Sequence, residues 1–264
     1  MIELQPARLP DLTHWFPVGA PGVAALAEHV RATGSGRWWA DRAVDPRVVA
    51  VSSGDHALLR GNPQALAPAA LAPLASLRVQ APAHFLPALS TAFTRLDPGE
   101  RMVYVHHTSA LASRPPRGVA VRRLTAADAT ATAGPGGDAR RLHATWGGPY
   151  PLAASGVAWG AFHRGGLLAV AGTCVLGSRY EDVAVLSPPD PRQHLALACV
   201  TALCADIAAR GRIPTWTCSG DDRPGRLLAW RAGFRLEREY VEYATGDPVR
   251  TEEASGPDRA RARA

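Results

Sequence analysis

Residues 181–211, EDVAVLSPPDPRQHLALACVTALCADIAARG, decide the fold class of this chain. The run Glu181–Leu186 is short, apolar and rich in valine, which predicts a buried β-strand. The five residues that follow contain three prolines, and prolines remove the backbone donors that a continuing strand needs. Asp190 suits a helix N-cap and Pro191 a first helical position, so a helix is predicted to begin here and to end at Gly211.

A strand that leads directly into a helix N-terminus favours an anion site. The first N–H groups of the helix lack partners, and the positive end of the helix dipole lies beside them. Arg192 adds a formal charge at this point. An ordinary strand–turn–helix unit with nothing bound at the helix end explains the same residues, and this stretch alone does not separate the two interpretations.

Composition narrows the class of protein. The chain has 264 residues, enough for one large domain or two of ordinary size. All 29 basic residues are arginine, which, with the many alanines, glycines and prolines, indicates a GC-rich bacterial genome. The net charge is +6, but the arginines are scattered among acidic residues, so we do not expect a nucleic-acid partner. The modest positive charge suits a phosphate-bearing ligand.

The cysteines predict neither a metal site nor a disulfide framework. Cys174, Cys199, Cys204 and Cys218 form no CxxC pair, so buried free thiols are expected. The adjacent His106 and His107 would face opposite sides of a strand and would not share a metal ion. The start of the chain lacks the pattern of a signal peptide, and no apolar run is long enough to span a membrane. We therefore expect a cytoplasmic protein without a metal and without a membrane partner.

Residues 1–117 form a first block, for which the patterns predict a smaller α/β domain. A hairpin signal, Ser53-Gly54-Asp55, separates two short strands, and residues 113–118 resemble a linker. Residues 36–41 are interpreted as a compact aromatic and arginine patch. The remaining predicted elements are helices over 21–32, 65–74 and 82–96 and strands over 48–52, 56–60 and 101–107.

Residues 118–247 form a second block in the order β-α-α-β-β-β-α-β-α-β, and residues 248–264 are predicted to be a disordered tail. The segment 147–151 is interpreted as a rigid aromatic loop. The predicted strands cover 119–124, 157–163, 167–176, 181–186, 213–218 and 234–243. The helices predicted after the strand at 181–186 cover 195–209 and 223–232. The fold class is α/β (α+β), with a mixed, mostly antiparallel sheet flanked by helices.

Three pieces of the second block carry a resemblance to a known family. They are WGAFHRGGLLAVAGTCVLGSRYEDVAVLSP from Trp159, PRQHLALACVTALCADIAARG from Pro191, and PTWTCSGDDRPGRLLAWRAGFRLEREYVEY from Pro214. In this order they resemble the GNAT superfamily of acyl-CoA-dependent N-acyltransferases over residues 118–245. The first block, with helices followed by a hairpin, is interpreted as a diverged copy of the same fold.

The resemblance implies a site for the pyrophosphate of acetyl-CoA at the start of the predicted helix. The matching residues are Arg192, Gln193, His194, Leu195 and Ala196, and His194 stands where the family has a glycine. Glycine is expected where backbone closely approaches a phosphate, so this departure leaves two alternatives, a reshaped phosphate pocket or a histidine that turns outward. A slipped alignment, Gln193-x-x-Ala196-x-Ala198, keeps small residues. Asp222 matches the asparagine that begins the family's next helix.

The resemblance also implies where acyl transfer takes place. The pantetheine arm of CoA pairs with the backbone of the fourth strand as an added strand, here Val183, Ala184, Val185 and Leu186. Glu181 or Asp182 supplies the catalytic base, and since they face opposite ways only one can serve. The family's tyrosine acid falls on Ala229, and the nearest replacement acids are Cys218, Tyr240 and Tyr243, of which Tyr240 is taken as the catalytic candidate. A water-relayed route for the base stays open.

The acceptor is predicted to be a small-molecule or peptide amine near Trp146, Tyr150, Trp159 and the first block. The favoured hypothesis is an N-acyltransferase that moves an acetyl or other small acyl group from CoA to this amine in a ternary complex. Two alternatives stay open. One is a catalytically impaired CoA-binding or protein-interaction module, and the other is a donor other than CoA, such as a carrier protein or an aminoacyl-tRNA. A homodimer is also left open.

Overall fold

This protein, which we describe from a computed structural model, is built around β-strands. The structure describes residues 1–5, 12, 14–107, 115, 117–132, 142–186 and 193–249. The strands are β1 (Ile2–Glu3), β2 (Arg37–Ala40), β3 (Val48–Ser53), β4 (His56–Gly61), β5 (Arg78–Gln80), β6 (Leu96–His106), β7 (Val119–Arg123), β8 (Ala158–His163), β9 (Gly166–Leu176), β10 (Tyr180–Leu186), β11 (Ile213–Ser219) and β12 (Phe234–Thr245). The helices are α1 (Leu26–Thr33), α2 (Leu86–Ala92), α3 (Ala129–Thr132), α4 (Pro149–Ala154), α5 (Gln193–Ala209) and α6 (Arg223–Arg231).

All twelve strands belong to one sheet, in the order β1-β2-β3-β4-β5-β12-β6-β11-β10-β9-β8-β7. Neighbouring strands are antiparallel except for two parallel pairs, β4 with β5 and β10 with β11. Helices pack on both faces of this sheet. The predicted fold class, a mixed and mostly antiparallel sheet flanked by helices, is therefore confirmed.

The two halves of the chain exchange strands at the centre of the sheet. The last strand of the first half, β6, lies between β11 and β12, while β12 lies between β5 and β6. Each half therefore contributes four consecutive antiparallel strands, β1–β4 or β7–β10, and a fifth strand parallel to the fourth, β5 or β11. Next to this fifth strand lies a strand of the other half, β12 or β6. Strands from both sides of the predicted domain boundary at residue 117 belong to this one sheet. The division into domains stays a prediction.

The second half follows the predicted order of elements where the structure describes it. Each predicted strand is present with ends shifted by at most two residues, and α5 and α6 occupy the predicted helical segments. One interpretation there was wrong, because helix α4 begins inside the predicted loop. Pro149 is the first residue of this helix. Proline has no backbone N–H, but the first N–H groups of a helix have no partner within the helix, so proline is tolerated there.

The first half departs further from the prediction. The supposed aromatic patch at 36–41 contains β2, which pairs with β3 and buries Trp38 and Trp39. The predicted helix over 65–74 is a 3₁₀ segment, Pro68–Leu74, with Pro73 inside it, because proline removes the donor that an α-helix needs. Strand β5 was not predicted, and α2 ends at Ala92. Half of the linker and almost all of the tail lie outside the described residues.

Different helices cover the two faces of the second half of the sheet. Helix α5 packs on one face against a core that includes Val183, Trp216 and Phe234. On the opposite face, α3 and α4 cover one part of the sheet. Helix α1, from the first half, covers the neighbouring part around Val175. Since α1 comes from the other half of the chain, both halves build the surroundings of β10.

Candidate functional site

A cleft opens between the two parallel central strands. Strand β10 pairs with β11 only from Tyr180 to Asp182. Beyond this point, Val183–Leu186 pairs with β9 on one side, while β11 continues alongside β6. Within the described residues, the side of Val183–Leu186 that faces β11 therefore has no partner strand. Such an unpaired edge offers backbone N–H and C=O groups to an extended ligand.

The two candidate carboxylates stand at the closed end of this cleft and point to opposite faces. Glu181 is fully buried on the α5 face, where Arg210 donates to it at 2.8 Å and Arg212 at 3.0 Å. The Thr173 hydroxyl donates a further hydrogen bond at 2.7 Å. The two oxygens of Glu181 are thus held by two guanidinium groups and a hydroxyl. Glu181 therefore anchors the C-terminal end of α5 to the sheet.

Asp182 has a different environment on the other face. Its Oδ1 accepts hydrogen bonds from the Thr215 hydroxyl at 2.7 Å and the Thr217 hydroxyl at 3.0 Å. Within the part of the chain that the structure describes, its Oδ2 has only the Cys174 thiol at 3.6 Å. Burial raises the pKa of Asp182 above its ordinary value, although the hydroxyl donors act in the opposite direction. A carboxylate with a raised pKa and one weakly occupied oxygen is suited to accept a proton.

A segment from the first half closes the site over Asp182. The N–H of Gly22 donates to the Thr215 hydroxyl at 3.3 Å. A Cβ at Gly22 would lie 2.7 Å from Thr217 Oγ1, and its φ is +72°, so only glycine fits this close approach. Asp182 keeps 3% of its surface exposed, which explains why burial dominates its pKa.

Helix α1 fixes this covering segment through two charged or titratable side chains. Glu28 accepts hydrogen bonds from the N–H groups of Gly19 at 2.9 Å and Ser178 at 2.6 Å. His29 bonds the carbonyl of Thr145 through Nε2 at 2.7 Å and accepts from the N–H of Leu176 through Nδ1 at 3.1 Å. Burial lowers the pKa of His29, so a neutral imidazole donates from one nitrogen and accepts at the other.

Tyr240 lies on the same face as Asp182, on β12 beside Arg101 of β6. Its hydroxyl is buried beside the guanidinium of Arg101. Burial raises the pKa of Tyr240, and the carboxylates of Glu242 and Asp182 raise it further. The phenol is therefore protonated at neutral pH and can donate, and it feels the charge of Asp182.

The start of α5 presents backbone amides at the open end of the cleft. The side chain of His194 is exposed, whereas Leu195 and Ala196 are buried in the core beneath the helix. Arg192 and the side chain of Gln193 lie outside the described residues. Asp222 caps α6, where its Oδ1 accepts from the N–H of Gly225 at 2.9 Å.

The three aromatic candidates for the acceptor site are not brought together. Trp159 faces α5, where Arg123 stacks on its ring and its Nε1 donates to Asp206 at 3.4 Å. Trp146 lies on the opposite face of the sheet, against His29 and the carbonyl of Thr173. Tyr150 is 62% exposed on α4. Of the three, only Trp146 neighbours the segment that covers Asp182.

Sequence reasoning missed the residues that complete the environment of Asp182. The Thr-x-Thr spacing of Thr215 and Thr217 places both hydroxyls on one face of β11, a signal that could have been used. Gly22 and Arg101 gave no such signal, because they come from the first half and reach the site only through the shared sheet. No group of three or more metal-ligating side chains converges in the described residues. None of the described helices has the length and hydrophobicity to cross a membrane.

Comparisons with known proteins agree with this architecture. Residues 22–243 match the model of the GNAT acetyltransferase family. An uncharacterized N-acetyltransferase from Streptomyces virginiae is 56% identical over 212 residues, which are 80% of this chain and 90% of that protein.

Solved structures show a similar fold at low identity. A GCN5-related N-acetyltransferase-like protein from Streptococcus suis superposes with a TM-score of 0.70 at 15% identity, over 90% of this chain and 98% of its own. A tandem GNAT protein from the clavulanic acid biosynthesis pathway gives 0.58 at 12% identity, over 92% and 96%. The family match covers most of both blocks, more than the 118–245 that the motifs indicated.

Proposed function

Because this chain belongs to the GNAT acetyltransferase family, we propose that it transfers an acetyl or other small acyl group from acyl-CoA to an amine by direct attack in a ternary complex. The observation that carries the proposal is the cleft between β10 and β11. Among the described residues, it leaves the edge of Val183–Leu186 that faces β11 without a partner strand, beside a buried carboxylate with a raised pKa.

The residues present fit an acyl-CoA donor. The backbone of Val183–Leu186 would pair with the pantetheine arm as an added strand. The N–H groups in the first turn of α5, Gln193–Ala196, would bind the pyrophosphate with help from the helix dipole. When bound, acyl-CoA supplies an activated thioester, which makes its carbonyl carbon open to attack by an amine.

Asp182 is the proposed general base. It takes a proton from the attacking amine, directly or through a water molecule, as the new carbon–nitrogen bond forms and the carbon–sulfur bond breaks. Thr215 and Thr217 hold Oδ1, so that Oδ2 is the oxygen left for this proton. Glu181 is not proposed as the base, since its oxygens are engaged by Arg210, Arg212 and Thr173.

Tyr240 is the proposed acid that returns a proton to the departing thiolate. Its buried hydroxyl lies beside the guanidinium of Arg101, which can only donate to it, so the phenol proton stays available. Its raised pKa keeps it protonated. The family position for such a tyrosine is Ala229, which is fully buried and has no proton to give.

The exchange of β6 and β12 supports a related proposal, that residues 1–117 are a diverged copy of the second half. Both halves have a parallel strand pair that joins over three residues and then separates. In the first half, the turn after β4 contains 3₁₀ segments and prolines rather than a helix like α5. We propose that this half shapes the acceptor side and does not bind CoA.

Calorimetric titration with acetyl-CoA tests the function, followed by measurement of amine-dependent CoA release. We expect saturable binding and turnover with at least one amine. No heat at millimolar acetyl-CoA would falsify the proposal and favour a donor other than CoA.

A further inference from the structure

Two arginines near the centre of the sheet have no carboxylate partner among the described residues, whereas the other buried or half-buried arginines form ion pairs. The structure describes several arginines as buried or half-buried. Those paired with carboxylates are Arg78 and Arg101 with Glu242, and Arg210 and Arg212 with Glu181. The exceptions are Arg60 on β4 and Arg238 on β12, which form no ion pair within the described residues. A half-buried guanidinium without a counter-ion is costly unless an anion binds it.

Arg60 and Arg238 reach the same segment of the first half, since the Arg60 guanidinium lies 5.9 Å from the ring centroid of Phe16 and Arg238 donates to the carbonyl of Pro21 at 3.2 Å. Burial, and then the charge of Arg238, lowers the pKa of Arg60. Arg60 donates to the carbonyls of Leu59 at 2.8 Å and Gln80 at 3.2 Å. These neutral acceptors position its guanidinium without neutralising it, so the pair retains two positive charges.

Unsatisfied polar atoms cluster around this pair. Buried polar atoms in proteins are nearly always hydrogen-bonded, and exceptions call for a water or a ligand. Among the described residues, two such atoms belong to this pair and its neighbour: Arg238 Nε and Oε1 of Gln80, whose carbonyl accepts from Arg60. This cluster of Arg60, Arg238 and Gln80 therefore keeps the Nε–H of Arg238 as a buried donor for an incoming group.

The cluster is continuous with the proposed catalytic site. The guanidinium of Arg238 lies 5.4 Å from the ring centroid of Tyr240. Arg238 also donates to the carbonyl of Pro21 at 3.2 Å, next to Gly22, which covers Asp182. Across the sheet, Arg238 is paired with Val103, and Val103 with Thr217, the residue that donates to Asp182. Two strand spacings, about 10 Å of sheet, thus separate the arginine from that threonine.

We propose that Arg60 and Arg238 bind an anionic oxygen group of the acceptor, so that this enzyme acylates amines that also carry a carboxylate or phosphate. The proposal rests on the acyltransferase function proposed above. Guanidinium groups bind both anions through paired N–H donors. The separation of about two strand spacings favours acceptors whose amine and anionic group are several bonds apart.

Matched acceptors test the proposal. CoA release is measured with ω-amino acids of increasing length, with the amides of the same compounds, and with aminoalkylphosphonates. We expect the acids or the phosphonates to be acylated and the neutral amides to be poor acceptors, and the two anionic series identify which group is preferred. Turnover of the amides with equal or lower KM would overturn the proposal.

Variants identify the residues. Arg238→Gln and Arg60→Gln should each raise KM for an anionic acceptor by about tenfold or more, the scale of a lost charge-assisted hydrogen bond, with kcat nearly unchanged. Arg235→Gln is the matched control, because this exposed arginine on the same strand donates only to backbone carbonyls. An unchanged KM in both variants, with their melting temperatures close to that of the wild type, contradicts the proposal.

A binding measurement without turnover separates this proposal from the proposed function. Glutarate carries carboxylates but no amine, so its binding does not depend on acyl transfer. It should raise the melting temperature of the wild type and of Arg235→Gln, but not of the Arg60→Gln, Arg238→Gln double variant. Equal shifts in all three proteins, or none in any, would overturn the anion site. Failure to bind acetyl-CoA would instead overturn the acyltransferase function.

Discussion

Glu181 and Asp182 are neighbours on β10, yet their carboxylates lie on opposite faces of the sheet in opposite electrostatic settings. Glu181 is bound by Arg210 and Arg212 on the α5 face. Asp182 receives only hydroxyls and a thiol on the other face. Glu181 therefore holds the end of α5 to the sheet, and Asp182 is the carboxylate that we propose for proton transfer.

Nearly isosteric substitutions separate these two roles. Asp182→Asn should lower kcat by about 10²-fold or more, the usual effect of losing a general base, with an unchanged melting temperature or a higher one. Glu181→Gln should leave kcat of the folded protein within a few-fold. It should lower the free energy of unfolding by about 1–3 kcal/mol, because half-buried Arg212 loses its carboxylate partner and Arg210 keeps only Asp206.

Steady-state kinetics and urea denaturation of both variants check this pair of expectations. If Glu181→Gln abolishes turnover while Asp182→Asn is fully active, the two roles are assigned the wrong way round. Two active variants would leave only a route through water.

Stability should also depend on pH through Asp182. Its folded-state pKa is raised by burial, so the native protein holds this proton more tightly than the unfolded chain, in which aspartate titrates near about 3.9. The contribution of Asp182 to stability is therefore fully present below that value and is lost as pH rises through the folded pKa.

The free energy of unfolding of the wild type minus that of Asp182→Asn should fall as pH is raised from about 4, where unfolded aspartate titrates. Urea denaturation of the two proteins across this range measures the difference. A difference that grows with pH would mean that the folded pKa is lowered and that hydrogen bonding outweighs burial.

Gly22→Ala should damage the covering segment over Asp182. The new methyl group would lie 2.7 Å from Thr217 Oγ1 and 3.1 Å from Val103, at a φ of +72°. We expect a loss of stability beyond the roughly 1–2 kcal/mol that left-handed backbone costs an alanine, and a lower kcat because Thr217 is displaced from Asp182.

Gly34→Ala is the matched control for this substitution. Gly34 has a φ of +71° with no atom within 4 Å of its added Cβ, so this variant carries the backbone cost alone. Equal melting temperatures and equal kcat for the two variants would show that the approach of Gly22 to Thr217 is not important.

The sequence predicted the second half well and the join between the halves poorly, for a physical reason. Strands such as β10 carry local signals, because its valine-rich run ends at prolines. The insertion of β6 between β11 and β12 depends on pairing over more than a hundred residues. No short pattern specifies such pairing.

The site was only partly predictable for the same reason. Alternation along β10 placed Glu181 and Asp182 on opposite faces, but the choice between them required knowing that Arg210 and Arg212 return to Glu181. Trp159 was expected beside the acceptor. Instead it packs beside Asp206 of α5, where its side chain is half-buried.

His194→Gly tests the phosphate end of the cleft. The histidine side chain is exposed at the first turn of α5, where glycine costs much less than in a helix interior. We expect tighter CoA binding, because glycine allows closer approach to the amides.

His194→Ala is the control for this variant, since it removes the imidazole but keeps a Cβ. Calorimetry on the wild type and both variants gives the three dissociation constants. Equal values would show that the imidazole points away from the ligand and that the departure from the family motif is neutral.

Site-resolved hydrogen exchange with and without acetyl-CoA tests most directly whether the β10–β11 cleft holds the donor. We predict that saturating acetyl-CoA slows exchange at the cleft-facing amides of Val183–Leu186 and in the first turn of α5. Leu59–Gly61, at the corresponding separation of β4 from β5 in the first half, should be unaffected and provides the internal reference. Unchanged exchange at Val183–Leu186, or slowing at Leu59–Gly61 instead, would contradict the proposed binding site.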